Sequence, residues 1–522
     1  MGRLKAAAPE RLAPWGLIAF CTLWRLPGLG DPPWLNDEGV YAMVGRALLH
    51  GEKLYRQVWE NKPPAIYLLN AGVERLGGAE HVITGMRLLA VLASMVALTA
   101  VYRLMLAQRG AGAARLVIVL AGIGLDLPLI DGTEANAEVF VAAASAVGMA
   151  LVWSVMNHHE HAPRRFFPDW MALLFAGAAF GVGIAFKLPA GADALAAGAV
   201  LICQGKRVPS LAWLLLGALI PLGAIVGWLA GQGLIGDALY ATIGYNRGYV
   251  STGQGLHSPL VGAVTILAPL TVLSVGGALA WRDRRHGLPF SAGVAWWLGL
   301  ALIGALASGR TYPHYFLQAV VPAAICLVLL LEGIQARRPP RAPPLDRGYS
   351  RYSRLGLGLV AAWAVLVPLT SFAALRLGGA QAAPGSDTLA YYAYFWQHWT
   401  GGLDDVAYGN RIDPRVERNL TIANYLKDHP RSPNQLYVWG NAPWIYYLSG
   451  YEHATRFLSA FYLPVVPGSG AGVLPELSRH PPPYIVLIQP PNPATARLAP
   501  FLSSRYRPVF QVENAVIYGL HP

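Results

Sequence analysis

The feature that most constrains this chain is an alternation of long apolar runs with short loops carrying Arg or Lys. Eleven runs approach the roughly 20 mostly apolar residues that a helix needs to cross a bilayer. They lie near 12–29, 81–106, 114–130, 135–156, 169–187, 188–203, 210–231, 259–281, 289–308, 313–332 and 354–377. The fifth and sixth share a break at Lys187–Pro189 and read equally as one broken hairpin, so the expectation is about 11 spans, within 11–13. Composition agrees: 54% hydrophobic and 13% charged residues leave no polar skin for a water-soluble fold. Disorder is excluded on the same ground.

Positive charge orients the runs. With the N-terminus in the cytoplasm, Arg3, Lys5 and Arg11 share a side with Arg109, Arg115, Arg164, Arg165, Lys206 and Arg207. Arg282, Arg284, Arg285 and the run from Arg337 to Arg354 join them. The opposite short loops hold mainly Lys187, Arg247 and Arg310. Such asymmetry predicts N-terminus in and C-terminus out. It also explains the net charge of +12 without nucleic acid. Cys21, Cys203 and Cys326 all lie in apolar runs and build neither a disulfide framework nor a zinc motif. No small-residue cleavage site follows Leu23, and Arg25-Leu26-Pro27 interrupts the first run, so it reads as an uncleaved span.

Two parts lie outside the membrane on the far side: the loop Asp31–Glu80, and a tail of residues 384–522 that follows the membrane domain of residues 1–377. In the loop, Val40, Met43, Val44, Ala47 and Leu48 predict an amphipathic helix over Val40–His50, suited to the interface. After Glu60-Asn61-Lys62-Pro63-Pro64, the residues Ile66, Tyr67, Leu69, Asn70 and Val73 suggest a second. The tail predicts a helix over Pro414–Lys427, another from Pro443, and strands at Gln435–Trp439, Tyr484–Gln489 and Val509–Tyr518. The last is a hairpin around Glu513-Asn514. The fold class is therefore mainly α: a polytopic membrane protein with interfacial helices in its first external loop and a small external C-terminal α/β domain.

Asp37-Glu38-x-x-Tyr41-Ala42, followed by Lys62-Pro63-Pro64, resembles the first external loop of glycosyltransferase family 39 and its bacterial relatives. These are GT-C membrane enzymes, among them protein O-mannosyltransferases and the transferase that adds aminoarabinose to lipid A. Asn136-Ala137-Glu138-Val139-Phe140 is similar to the start of that family's fourth span, and Pro313-His314-Tyr315 to its Pro-x-Tyr segment. The resemblance covers roughly residues 12–377; the tail matches only in position.

The resemblance implies an inverting transfer of one monosaccharide from a polyprenyl-phosphate donor to an acceptor hydroxyl on the external face of a bacterial inner membrane. The acceptor is a lipid, a polysaccharide or a protein, and membrane lipids are the other partners. Attack on the anomeric carbon asks for one carboxylate base. The departing phosphate asks for cations rather than a second carboxylic acid. Carried over residue by residue, Asp37 is the base beside Glu38, Lys62 contacts the donor phosphate, and Tyr315 reaches it too. Some relatives place an arginine three residues after the aspartate; here Val40 stands there, so Arg310, Arg247 or Lys187 must supply the further cation. Glu60, Asn136, Glu138 and His314 are possible supporting or acceptor-binding residues. No cofactor and no metal ligand set is expected, with a divalent ion left open.

Plainer readings stand beside these. Asp37 reads equally as a helix cap, Lys62 as a headgroup contact, Arg247 and Arg310 as interfacial anchors, and Glu60 as a solvated surface charge. The aromatic run Tyr391–Trp396 lines a sugar site or forms an interfacial belt, whereas Tyr437-Val438-Trp439 reads as core. His158, His159 and His161 fall in a cytoplasmic loop, the wrong side for the chemistry. The rival functions are an oligosaccharide ligase, which attacks the same donor class, and a transporter or flippase of a lipid-linked saccharide. The latter asks for internal repeats, and none is visible.

Overall fold

A computed structural model describes residues 7–156, 167–205, 208–251, 259–282, 288–308, 312–335, 388–463, 469–488 and 495–521. The eleventh run, 354–377, lies outside them, as do Arg310 and the histidines 158, 159 and 161. Among the described residues, five helices are long and apolar enough to cross a membrane, beginning near Ala79, Ala137, Asp169, Val208 and Pro313. Shorter apolar helices lie in the first, third, sixth, eighth and ninth runs. The protein is an integral membrane protein.

The chain forms two compact units. The first comprises Met1–Leu26, Leu88–Ile225 and Gly253–Ala382; the second comprises Pro27–Arg87, Val226–Thr252 and Ala383–Pro522. In chain order the helices are α1 (Ala7–Leu23), α2 (Leu26–Gly30), α3 (Asn36–Leu49), α4 (Ala65–Gly77), α5 (Val82–Arg109), α6 (Ala111–Leu125) and α7 (Ala137–Met156). There follow α8 (Asp169–Phe186), α9 (Gly191–Cys203), α10 (Val208–Gly231), α11 (Ile235–Leu239), α12 (Tyr245–Ser251), α13 (Pro259–Arg282), α14 (Phe290–Leu306) and α15 (Leu317–Gln335).

In the first unit, α7 packs along α8, α14 against α9 and α13, and α15 against α6 and α7. Buried Ala, Val and Leu fill the seams. The break at Lys187–Pro189 is a real one: α8 ends at Phe186, Lys187 is extended, and a single tight turn, Leu188–Ala190, opens α9. Pro189 supplies the fixed φ for that restart. By contrast α10 leaves Leu215, Leu216, Leu219 and Ile220 exposed, as suits a surface bathed in lipid.

The second unit adds α16 (Thr388–Trp399), α17 (Asp405–Ile412), α18 (Arg415–Asp428), α19 (Trp444–Ser449), α20 (Ser469–Arg479) and α21 (Thr495–Arg505). Its five strands are β1 (Gln435–Trp439), β2 (Glu452–His453), β3 (Tyr484–Ile488), β4 (Tyr506–Val512) and β5 (Ala515–Leu520), in the order β2-β1-β3-β5-β4. β1 runs parallel to β2 and β3, as its helical connections require; β4 and β5 form an antiparallel hairpin turning at Glu513, whose φ is +47°. Pro508 sits on the edge strand β4 beside a bulge, where a missing donor costs least. The expected strands and both expected tail helices are present within one or two residues, except that β4 begins three residues earlier.

One expectation needs correction. The stripe of α3 is covered by protein rather than left bare: Val40, Tyr41, Met43, Val44 and Ala47 are buried, and the helix starts at Asn36 rather than Val40. It packs on α4 and on α19 of the tail. Gly39 makes the second contact possible, since a Cβ there would stand 3.0 Å from the Trp444 ring. The Trp444 indole N–H also donates to the Leu35 carbonyl at 2.8 Å. Asp31 receives the hydroxyls of Tyr391 and Tyr408, the first at 2.6 Å, so the first loop and the tail share one core with Trp34. Tyr391 is thus a packing residue, and Tyr437–Trp439 is buried strand.

Candidate active site

Starting α3 at Asn36 puts Asp37 and Glu38 in its first turn, where the helix dipole favours negative charge. Their fates then diverge. Glu38 is buried, and both its oxygens are taken by Arg87, at 3.1 and 2.8 Å. Arg87 is fully buried too and donates from Nη1 to the Gly28 and Asp31 carbonyls, each at 2.7 Å. Losing either partner would leave an uncompensated buried charge, a cost of about 3–5 kcal/mol. Glu38, expected beside Asp37 as a catalytic carboxylate, is thus buried and paired with Arg87 at the helix start.

Asp37 remains 32% exposed at its side chain. Its Oδ2 accepts from Tyr41 one helical turn on, at 3.1 Å, and faces the Lys62 ammonium at 3.4 Å. That is longer than the 2.7–2.9 Å of an optimal charge-assisted hydrogen bond, so the pair is loose. Lys62 also stands 5.0 Å above the Tyr41 ring. Behind it, Glu60 is wholly buried, which removes the reading of a solvated surface charge. One Glu60 oxygen lies 3.9 Å from the Lys62 ammonium, and the other accepts the Lys62 backbone N–H at 3.1 Å. Tyr67 of α4 and Tyr462 of the tail donate their hydroxyls to Glu60. Burial and the Glu60 charge push both phenols well above their usual range, so they stay protonated and keep donating. Tyr55, with φ +68°, closes the loop by donating to the Lys62 carbonyl at 2.9 Å.

Aromatic rings wall this cluster. Trp59 packs on Tyr245, Tyr462 and Phe457 at centroid distances of 5.0, 5.0 and 5.6 Å. Tyr245 comes from α12, which also carries Arg247, exposed. The aromatic residues around Lys62 are therefore not the run Tyr391–Trp396 that the sequence singles out.

A second cluster lies within the first unit. Glu138, in the first turn of α7 and almost wholly buried, forms an ion pair with Lys187. The Lys187 ammonium lies over the Tyr315 ring, 3.4 Å from its centroid. Glu138 thus pairs with Lys187, one of the expected further cations. His314 Nδ1 is 3.0 Å from Asp131 Oδ2, while Asn136 donates to the Asp131 carbonyl at 3.0 Å. Tyr312 stacks parallel to His314, with 5.8 Å between centroids.

Sequence reasoning missed Arg87, Tyr67, Tyr462, Asp131 and Asp193. For Arg87 and Asp193 a signal existed: each is a charge set within an apolar run, which is costly unless it is used. No sequence signal marked Tyr462, about 400 residues from its partner Glu60.

No protein-family model matches the chain, and no curated protein matches it significantly. Among solved structures, ArnT from Cupriavidus metallidurans bound to undecaprenyl phosphate matches 98% of this chain and 98% of its own, with a TM-score of 0.57 and 16% identity. The likeness shows the fold: this chain has the GT-C fold over nearly its whole length. The oligosaccharyltransferase AglB from Archaeoglobus fulgidus, in complex with an inhibitory peptide and a dolichol-phosphate, is similar over 92% of this chain and 70% of its own. That match has 13% identity and a TM-score of 0.46, too low to carry an argument.

Proposed function

We propose that the protein is an inverting glycosyltransferase that moves a monosaccharide from a polyprenyl phosphate to an acceptor hydroxyl. The observation that carries this reading is the contrast within one helical turn: Glu38 is locked to Arg87, whereas Asp37 is part-exposed and loosely paired with Lys62. A structural cap needs no such cation, and a membrane-anchoring lysine needs no carboxylate pair behind it. The fold likeness to ArnT, solved with undecaprenyl phosphate, supports the donor class.

In this reading an Asp37 oxygen takes the acceptor's proton as the hydroxyl oxygen bonds to the anomeric carbon from the face opposite the leaving group. The bond from that carbon to the phosphate oxygen breaks, and the polyprenyl phosphate leaves with its electron pair as a dianion. Lys62, held from behind by Glu60, neutralises the charge that builds there, which is where electrostatic preorganisation acts. Lys187 and Tyr315 offer another cation and hydroxyl of the kind a lipid phosphate takes. The proposal assigns charge neutralisation to side chains and asks for no metal. It places the protein in a bacterial inner membrane, N-terminus cytoplasmic, with the first loop and the tail on the periplasmic side.

The test is transfer by purified protein from a panel of polyprenyl-phosphate monosaccharides, reading release of polyprenyl phosphate by mass spectrometry. At least one donor is expected to turn over in the wild type, and Lys62→Ala is expected to lower that rate. Full activity in Lys62→Ala sinks the phosphate assignment. Reporter fusions after Asp31 and near Pro433 should read outside, and a fusion after Arg207 should read cytoplasm. A cytoplasmic tail contradicts the mechanism.

A further inference from the structure

Deep in the first unit lies a carboxylate that the mechanism above does not use. Asp193 of α9 is completely buried in an apolar bundle and accepts from three other helices. Ser145 of α7 donates to Oδ2 at 2.7 Å, the Trp297 indole of α14 to Oδ1 at 2.9 Å, and the Gln318 amide of α15 to Oδ2 at 2.8 Å. A carboxylate in such a place is expensive, and three donors offset much of the cost. Hydrophobic residues of similar volume would serve packing at least as well. The geometry shows what the carboxylate does that they would not.

The Gln318 amide carries two hydrogens. One goes to Asp193, and the other goes to the Pro189 carbonyl at 3.2 Å. Pro189 sits in the turn Leu188–Ala190, which Lys187 opens. Gln318 lies one turn beyond Tyr315, and Lys187 reaches over the Tyr315 ring. Glu138, the ion-pair partner of Lys187, lies on the same helix as Ser145, seven residues apart and so on the same face. Asp193 therefore fixes the amide that ties the backbone beside Lys187 to the segment bearing Tyr315. Gly304 leaves room for this tie, because a Cβ there would stand 2.8 Å from the Pro189 carbonyl and 3.0 Å from the Gln318 amide nitrogen.

We propose that Asp193 is a positioning residue: acting through Gln318, it holds the Lys187–Pro189 turn so that the Lys187 ammonium stays over Tyr315, ready for a lipid phosphate. This rests on the reading of Lys187 as a phosphate-binding cation.

The experiment titrates purified full-length protein in detergent with undecaprenyl phosphate and reads the bound fraction by native mass spectrometry, with thermal melts alongside. Lys187→Met should weaken binding about tenfold, the range expected for losing a charged contact. Gln318→Met keeps the volume and loses both donors; it should weaken binding about fivefold, and Asp193→Asn by a similar factor. The double variant Gln318→Met/Lys187→Met should bind no worse than Lys187→Met alone, because the amide acts through the lysine. Ser145→Ala, which removes one donor from Asp193 but spares the tie, should lower the melting temperature and leave binding within about twofold. If Asp193→Asn does not fold, Gln318→Met carries the test alone. Wild-type binding by Gln318→Met, while Lys187→Met is weak, overturns the positioning role; so does a double variant in which the two losses multiply. A Lys187→Met that binds it fully overturns the Lys187 assignment and this inference while the Asp37–Lys62 reading stands; a wild type that does not bind undecaprenyl phosphate sinks both.

Discussion

Two lysines of this protein have similar partners and opposite settings. Lys62 stands 3.4 Å from a part-exposed aspartate, with a buried glutamate 3.9 Å away and a tyrosine ring 5.0 Å below. Lys187 is paired directly with the buried Glu138 and pressed to 3.4 Å over Tyr315, on a turn tied back to Asp193 through Gln318. The first setting is loose at the carboxylate and firm behind the cation; the second is firm throughout. A base must exchange its ion partner for a substrate proton, so a slack pair suits Asp37. A cation that only stabilises charge gains from being fixed in advance. In the proposed function the same composition of Lys, carboxylate and Tyr serves two tasks, and geometry separates them.

The comparison can be broken by removing its fixed points in turn. The largest effect on the fold is expected for Arg87→Ala, which strands the buried Glu38 and should cost about 3–5 kcal/mol, read as a lowered thermal midpoint or loss of folded protein. The double variant Arg87→Met/Glu38→Leu should recover much of that stability, which sharpens the assignment of Glu38 to structure. Next comes Lys62: the alanine variant should slow transfer strongly. Lys62→Arg should rescue only part of the rate, because a planar fork does not replace a compact ammonium. Equal activity of Lys62→Arg and the wild type would favour a membrane anchor. The smallest effects are expected for Tyr462→Phe and Tyr315→Phe, each losing one hydroxyl donor at about 0.5–1.5 kcal/mol net. Tyr462→Phe should show this mainly in stability, through Glu60, and Tyr315→Phe mainly in donor affinity.

Much of this architecture is legible in the chain because membranes and strands impose strict periods. All ten apolar runs that fall among the described residues are helices, and the tail strands fell where alternation put them. Lys187–Pro189 was readable as a break because a charged residue and a proline there interrupt one apolar run, although Pro221, Pro269 and Pro322 show that a proline alone does not end a helix. The local pairs within the first loop, Asp37 with Tyr41 and Glu60 with Lys62, follow from short separations. What was not legible is every partnership made by folding the chain back: Tyr462 on Glu60, Tyr391 and Tyr408 on Asp31, Gln318 on Asp193. Sequence distance hides these, and only the cost of a buried charge hints that a partner must exist. The cover of the α3 stripe was hidden for a related reason: an amphipathic stripe shows that a face is buried, not what covers it. Here the cover is α4 and the tail helix α19.

The central claim is that adjacent carboxylates divide their labour, Asp37 as base and Glu38 as anchor. The direct measurement is single-turnover transfer by Asp37→Asn and Glu38→Gln, each with thermal midpoint and undecaprenyl-phosphate binding recorded on the same samples. Asp37→Asn should keep its fold and its lipid binding while losing transfer by about 10²–10⁴-fold, the usual range for a general base. Glu38→Gln should lower the thermal midpoint and leave the folded fraction active. Near-normal turnover in Asp37→Asn, with a stable and inactive Glu38→Gln, would contradict the account.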